Sequence, residues 1–155
     1  MLGVLIIGGA GVQEWQNAIF LMLNIVSGNS YNNTFKESPG GERMRISYFL
    51  SDRTRLDAPI VQRIAGSCVR ELDAEEGESG GEAASLHLFC RAAPHTGASK
   101  DVALDSLGYV YFGRAQYLSH CVNDSRIELD LELRDYALIR PLAPFQQLLD
   151  LAKRP

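Results

Sequence analysis

A chain of 155 residues with 46% hydrophobic and 22% charged residues is long enough for one domain with its own core. It is too balanced in composition for global disorder or an unbroken coiled coil. A net charge of -4 argues against a protein that coats nucleic acid over its whole surface, although a local basic site stays open. The expectation is a single domain over 1–155.

In chain order, Leu2 to Gly11 followed by Val12 to Asn24 reads as strand, glycine loop and helix, with Trp15, Ile19, Phe20, Leu23 and Val26 packing the helix. The glycine-rich loop 8–11 permits an alternative function, nucleotide binding by an enzyme. In a dinucleotide fingerprint, glycines let pyrophosphate approach a helix N-terminus. Here Gly9 and Gly11 could serve as the first two glycines, but Glu14 holds the third position, where a carboxylate repels phosphate. Residues 27–35 form a polar loop and Ser38-Pro-Gly-Gly41 a second break.

Arg43 to Ser51 alternates as a strand, with Met44, Ile46, Tyr48 and Leu50 on one face and Arg43, Arg45 and Ser47 on the other. Ser51 to Arg55 is a charged turn, and a short helix over 57–65 starts with Asp57 as N-cap and Pro59 in its first turn. The acidic, glycine-rich stretch 74–84 reads as a flexible insertion. In the next strand, Ser85 to Arg91, Leu86, Leu88 and Cys90 oppose His87, Phe89 and Arg91. That strand puts His87 and Cys90 on opposite faces, so they are no catalytic pair.

An irregular loop over 93–105 leads to Tyr109–Tyr117. Strict alternation there sets Tyr109, Tyr111, Gly113, Ala115 and Tyr117 against Val110, Phe112, Arg114, Gln116 and Leu118. Gly113 within a strand signals a bulge or a close backbone approach. Arg126 to Leu133 alternates again, and the polar connection 119–125, with Asn123-Asp124 as its turn signal, makes the pair an antiparallel hairpin. Pro141 to Ala152 can form a terminal helix burying Phe145, Leu148, Leu149 and Ala152. The sum is an α+β domain with a mostly antiparallel sheet, β-barrel-like or strongly curved, flanked by an N-terminal and a C-terminal helix.

Chemistry is harder to find. His87, His95 and His120 lack a metal-ligand spacing, no nucleophile elbow or Walker loop is present, and Glu128, Asp130 and Glu132 read as the solvated face of a strand. Cys68, Cys90 and Cys121 are free thiols at wide spacing. No catalysis, cofactor or metal is expected. No apolar run reaches membrane-spanning length, so a soluble, intracellular protein, cytoplasmic or nuclear, is expected, with no membrane partner.

Binding fits better. Arg43, Arg45, Arg53, Arg55 and Arg91 are candidates for phosphate contact, with Tyr48 or Tyr111 lining a pocket for a base. The partner is then nucleic acid, DNA in preference to RNA. The alternative is a protein-interaction or oligomerisation module using a sheet edge or the terminal helix.

Five segments carry a resemblance: Tyr31-Asn-Asn-Thr-Phe35, Ile46-Ser-Tyr48, Ser51 to Asp57, Leu86-His-Leu-Phe-Cys-Arg91, and Tyr109-Val-Tyr-Phe-Gly113 through Leu133. Over about Tyr31 to Leu133 the chain resembles the C-terminal domain of bacterial superfamily-2 DNA helicases that carry a phospholipase-D-type nuclease module. The resemblance implies an accessory domain in DNA-directed defence or repair, a reader of modified or unusual DNA.

Overall fold

The structure is a computed structural model that describes residues 11–24, 33–67, 83–91 and 109–152. The expected strand at the N-terminus, residues 74–82 of the acidic insertion and the loop 93–105 lie outside the described residues. Seven strands form one mixed sheet: β1 (Gly11–Glu14), β2 (Ala18–Asn24), β3 (Thr34–Glu37), β4 (Met44–Phe49), β5 (Ser85–Arg91), β6 (Val110–Asn123) and β7 (Arg126–Leu133). Their order is β1-β2-β5-β6-β7-β4-β3, and only β2 with β5 is parallel. Helix α1 (Pro59–Ala65) follows β4, while α2 (Tyr136–Ile139) and α3 (Ala143–Ala152) close the chain.

The alternating strands behave as their sequences dictate. In β4, β5 and β7 every second residue is buried: Met44, Ile46 and Tyr48; Leu86, Leu88 and Cys90; Ile127, Leu129, Leu131 and Leu133. Val61 and Ile64 of α1, Tyr136 and Ile139 of α2, and Phe145, Leu148 and Leu149 of α3 join them in one core. A buried aliphatic or aromatic side chain contributes about 1.5–3 kcal/mol through the water it leaves, so this one-sided layer holds the domain together. The opposite face of the sheet has no helix packed on it among the described residues. Its positions in β5 and β7 are all half-buried.

Four expectations are corrected. Residues 12–24 are no helix: they form β1, a turn in which Trp15 donates its N–H to the carbonyl of Ala18 at 2.8 Å, and β2. Ile19, Leu21 and Leu23 enter the core while Phe20 points to the other side, a period of two hidden inside a run that is apolar throughout. The sheet is not a barrel or strongly curved. Its edges β1 and β3 are the ends of an open array, and helices cover the face that closure would have had to hide.

The polar stretch after Leu118 is mostly strand, because β6 runs to Asn123 and a two-residue turn suffices. Asp124 and Ser125 both have positive φ, 47° and 65°, the conformation that matches the twist of a tight hairpin. Finally, Asp57 does not cap α1. The N-cap is Ala58 with Pro59 next, and Asp57 instead accepts from Arg55.

Strict alternation also fails in β6, and here the expected role of Gly113 explains why. The β5–β6 register shifts between His87 and Phe89, opposite Gly113, whose φ is 88°. One extra residue at this bulge turns the strand over. Phe112 and Ala115 therefore both face the core, while Tyr111 and Arg114 pair with Phe89 and His87 on the helix-free face. A second shift between Tyr117 and Ser119 reorients the far end of β6.

Candidate nucleic-acid interface

The register of β2, β5 and β6 collects aromatic rings on the helix-free face. Phe20 sits beside His87, and Met22 beside Phe89 beside Tyr111. Ring centroids are 5.5 Å apart for Phe20 and Phe89, 5.0 Å for Phe89 and Tyr111, 5.6 Å for Phe20 and His87, and 5.8 Å for His87 and Tyr111. Trp15, in the β1–β2 turn, extends the group, 6.3 Å from Phe20. Trp15 and Tyr111 remain 47% and 45% exposed. Water-facing rings in contact with each other across three strands give a surface on which another π-system can stack.

Polar atoms fix these rings. His87 Nδ1 lies 2.7 Å from the Tyr111 hydroxyl and His87 Nε2 lies 2.8 Å from Ser85 Oγ, so the neutral imidazole donates at one nitrogen and accepts at the other. Partial burial, then the nearby Arg114 cation, lowers the pKa of His87, against the opposing pull of Asp135. Burial, reinforced by Asp135, raises that of Tyr111.

Asp135, just after β7, anchors the bulge. Arg114 donates its backbone N–H to Asp135 Oδ2 at 2.8 Å, and its Nε and Nη2 donate to the same carboxylate at 3.0 and 2.6 Å. The pair is largely shielded from water. The Arg114 hydrogen bonds hold the Asp135 carboxyl below its ordinary pKa and raise that of Arg114. A carboxyl with a depressed folded-state pKa contributes stability that is fully present above the unfolded value near 4 and is lost as pH falls through the lower folded value. The melting temperature should therefore fall below about pH 4, and less steeply in Asp135→Asn, which a thermal-melt series over acidic pH reads directly.

The residues singled out from sequence do not form one cluster. Tyr111 lies in the aromatic group. Arg91 has its guanidinium carbon 4.7 Å from the centre of the Tyr109 ring, on the same strand face as His87 and Phe89. Tyr48 is buried at 4% exposure on the core side, where its hydroxyl donates to the Met22 carbonyl at 3.4 Å, so it does not line an open pocket. Arg43 and Arg45 are at the start of β4, whereas Arg53 and Arg55 follow its end, roughly 20 Å along the strand.

Arg43 and Arg45, with Lys36, line a groove of about 600 Å³ between β3, β4, β7 and the far end of β6. The groove is not basic. Glu37, Glu128, Asp130 and Glu132 share it, and Arg45 Nε donates to Asp130 Oδ1 at 3.2 Å. Arg55 is similarly engaged by Asp57 at 3.1 Å. Among the described residues no group of three or more His, Cys, Asp or Glu is placed to hold a metal ion. Nor is any described helix long and apolar enough to cross a membrane.

Sequence reasoning missed Trp15, Phe20, Arg114 and Asp135 as parts of this face. Alternation in β5 alone puts His87 and Phe89 together on it. Phe20 was hidden by the helical reading, and Arg114 by the bulge. Residues 11–14 are strand, so no helix N-terminus follows Gly11 to receive a phosphate. Compared with protein-family models, with curated proteins and with solved structures, the chain finds no match.

Proposed function

We propose that the protein is a non-catalytic nucleic-acid-binding domain that takes unpaired bases on the helix-free face of its sheet. The observation that supports this reading is the contiguous group Trp15, Phe20, His87, Phe89 and Tyr111, exposed at both ends. Bases inside a duplex cannot reach such a face, whereas single strands stack on aromatic platforms at about 1–3 kcal/mol per base. Arg91 and Arg114 stand beside the rings within reach of a backbone. Service as an accessory module that reads modified or unusual DNA in defence or repair rests on the resemblance of the strand motifs, and belongs to the same proposal.

The overall negative charge predicts an unusual salt response. With only Arg91 and Arg114 at the face, and Arg114 already paired with Asp135, the slope of log K against log salt for a single strand is no steeper than about -1.4, much shallower than for a protein that grips many phosphates. Trp15 is the only tryptophan, so its fluorescence reports directly on the face. Titration with a single-stranded oligonucleotide should change that fluorescence saturably at low salt, and a duplex of the same sequence should bind more weakly. Absence of saturable binding to single strands overturns the reading.

A second reading, docking of another protein or a second copy, is favoured by Leu138 and Leu142, which are 73% and 51% exposed at four-residue spacing. Self-association by that patch would appear as a solution mass that rises with concentration.

A further inference from the structure

We infer that His87 couples ligand binding on the aromatic face to pH, so that affinity for single-stranded nucleic acid rises on acidification. The inference rests on the proposed reading of that face and adds its regulation. His87 is in the middle strand of the platform, stacked at 30° against the Tyr111 ring and edge-on to Phe20, where a strand lying on those rings brings its phosphates close.

The hydrogen bonds accommodate a second proton by rotation of a hydroxyl, with no heavy atom displaced. Both partners of the imidazole are hydroxyls, Ser85 Oγ at 2.8 Å and Tyr111 Oη at 2.7 Å, and a hydroxyl can accept as readily as donate. Protonated His87 donates to both. Ser85 Oγ then turns its own proton toward the carbonyl of Asn17, 3.4 Å away.

The charged and titratable groups that face the ring among the described residues set the direction. Tyr111 and Arg114 come from β6, Asp135 from the turn after β7, and β2 contributes the uncharged Phe20. In the free protein, partial burial and the neighbouring Arg114 disfavour the imidazolium, and Asp135 offsets this only in part because its carboxylate is engaged by Arg114. A bound phosphate supplies the missing negative charge. It raises the pKa of His87, and a group whose pKa rises on binding takes up protons as the complex forms. Affinity then increases as pH falls through the two pKa values, by up to about tenfold for each unit between them.

The test uses the whole chain and oligothymidylate, whose bases do not titrate in this range. Trp15 fluorescence gives Kd at about pH 5.5 and about pH 8, at constant ionic strength. Tighter binding at the lower pH is expected, together with an upward shift of the His87 imidazole titration seen by NMR when the oligonucleotide is added. His87→Gln should lose the ratio between the two pH values, with thermal melting used to select conditions where the variant is folded. Equal Kd values for the unsubstituted protein, an unmoved imidazole titration, or a ratio that survives in His87→Gln overturns the inference while leaving the binding reading intact. No binding at either pH overturns the binding reading, and the inference with it.

Discussion

Replacing Gly113 with alanine should lower the unfolding free energy by about 2–5 kcal/mol in urea denaturation. The backbone there has φ of 88°, where a side chain costs about 1–2 kcal/mol. An added Cβ would also stand 2.8 Å from the Cβ of Asp135 and 3.0 Å from Oδ2. The nearest obstacle is the root of a side chain whose carboxylate is held by three donors of Arg114, so it cannot swing aside without releasing them. Asp135→Ala keeps that Cβ but removes the carboxylate that pins it, so the obstacle can give way and the double variant's loss should be smaller than the sum of the two single losses. A loss under about 1 kcal/mol for Gly113→Ala would mean that the bulge is not held as described.

Phe112→Ala should cost about 3–5 kcal/mol. Phe112 is fully buried one residue before the bulge, with its ring 4.6 Å from Phe145 of α3 and 5.9 Å from Phe35 of β3. It links the central strand to the terminal helix and to an edge strand, so truncation leaves a cavity bounded by elements that cannot all collapse inward. Against a typical domain stability of 5–15 kcal/mol, the loss brings the protein near its folding threshold. The side chain points away from the aromatic face. Whatever fraction stays folded should therefore keep its affinity for the ligand, which separates a packing role from a binding one. A Phe112→Ala protein that melts like the parent would contradict the assignment of this residue to the core.

Much of the architecture was legible because local pattern and burial agree. β5 and β7 alternate without interruption, α1 opens on Pro59, and the hairpin turn occupies polar residues. The glycine of β6 was readable as a bulge or a close approach, and it is both. What escaped notice depends on contacts distant in sequence. Ala18 to Leu23 is apolar on both sides because Ile19, Leu21 and Leu23 enter the core while Phe20 and Met22 join the aromatic group on the other face, and such a run carries no period to separate strand from helix.

The face of Arg114 follows from a bulge whose position is enforced by Asp135, a residue 21 places later. The arginines of the β4 region looked like one cluster in sequence, but a strand separates them into two ends. Carboxylates from β7 and from the turn itself engage two of them, Arg45 and Arg55. Tyr48 alternates with Arg45 and Ser47 and so belongs to the core, whereas Tyr111 reaches the open face by the same alternation, between Val110 and Phe112, which both pack on the core.

The measurement that bears most directly on this account compares three proteins in the single-strand titration at low salt: the parent, Tyr111→Ala, and the double variant Arg53→Ala with Arg55→Ala. If the aromatic face is the contact surface, Tyr111→Ala weakens binding by about five- to 100-fold, the equivalent of one lost base stack. The double variant, altered at the far end of β4, then stays within about threefold of the parent, the effect of two screened surface charges. Unchanged binding by Tyr111→Ala, with the loss appearing in the arginine variant, would contradict the account and return the site to the charged turn.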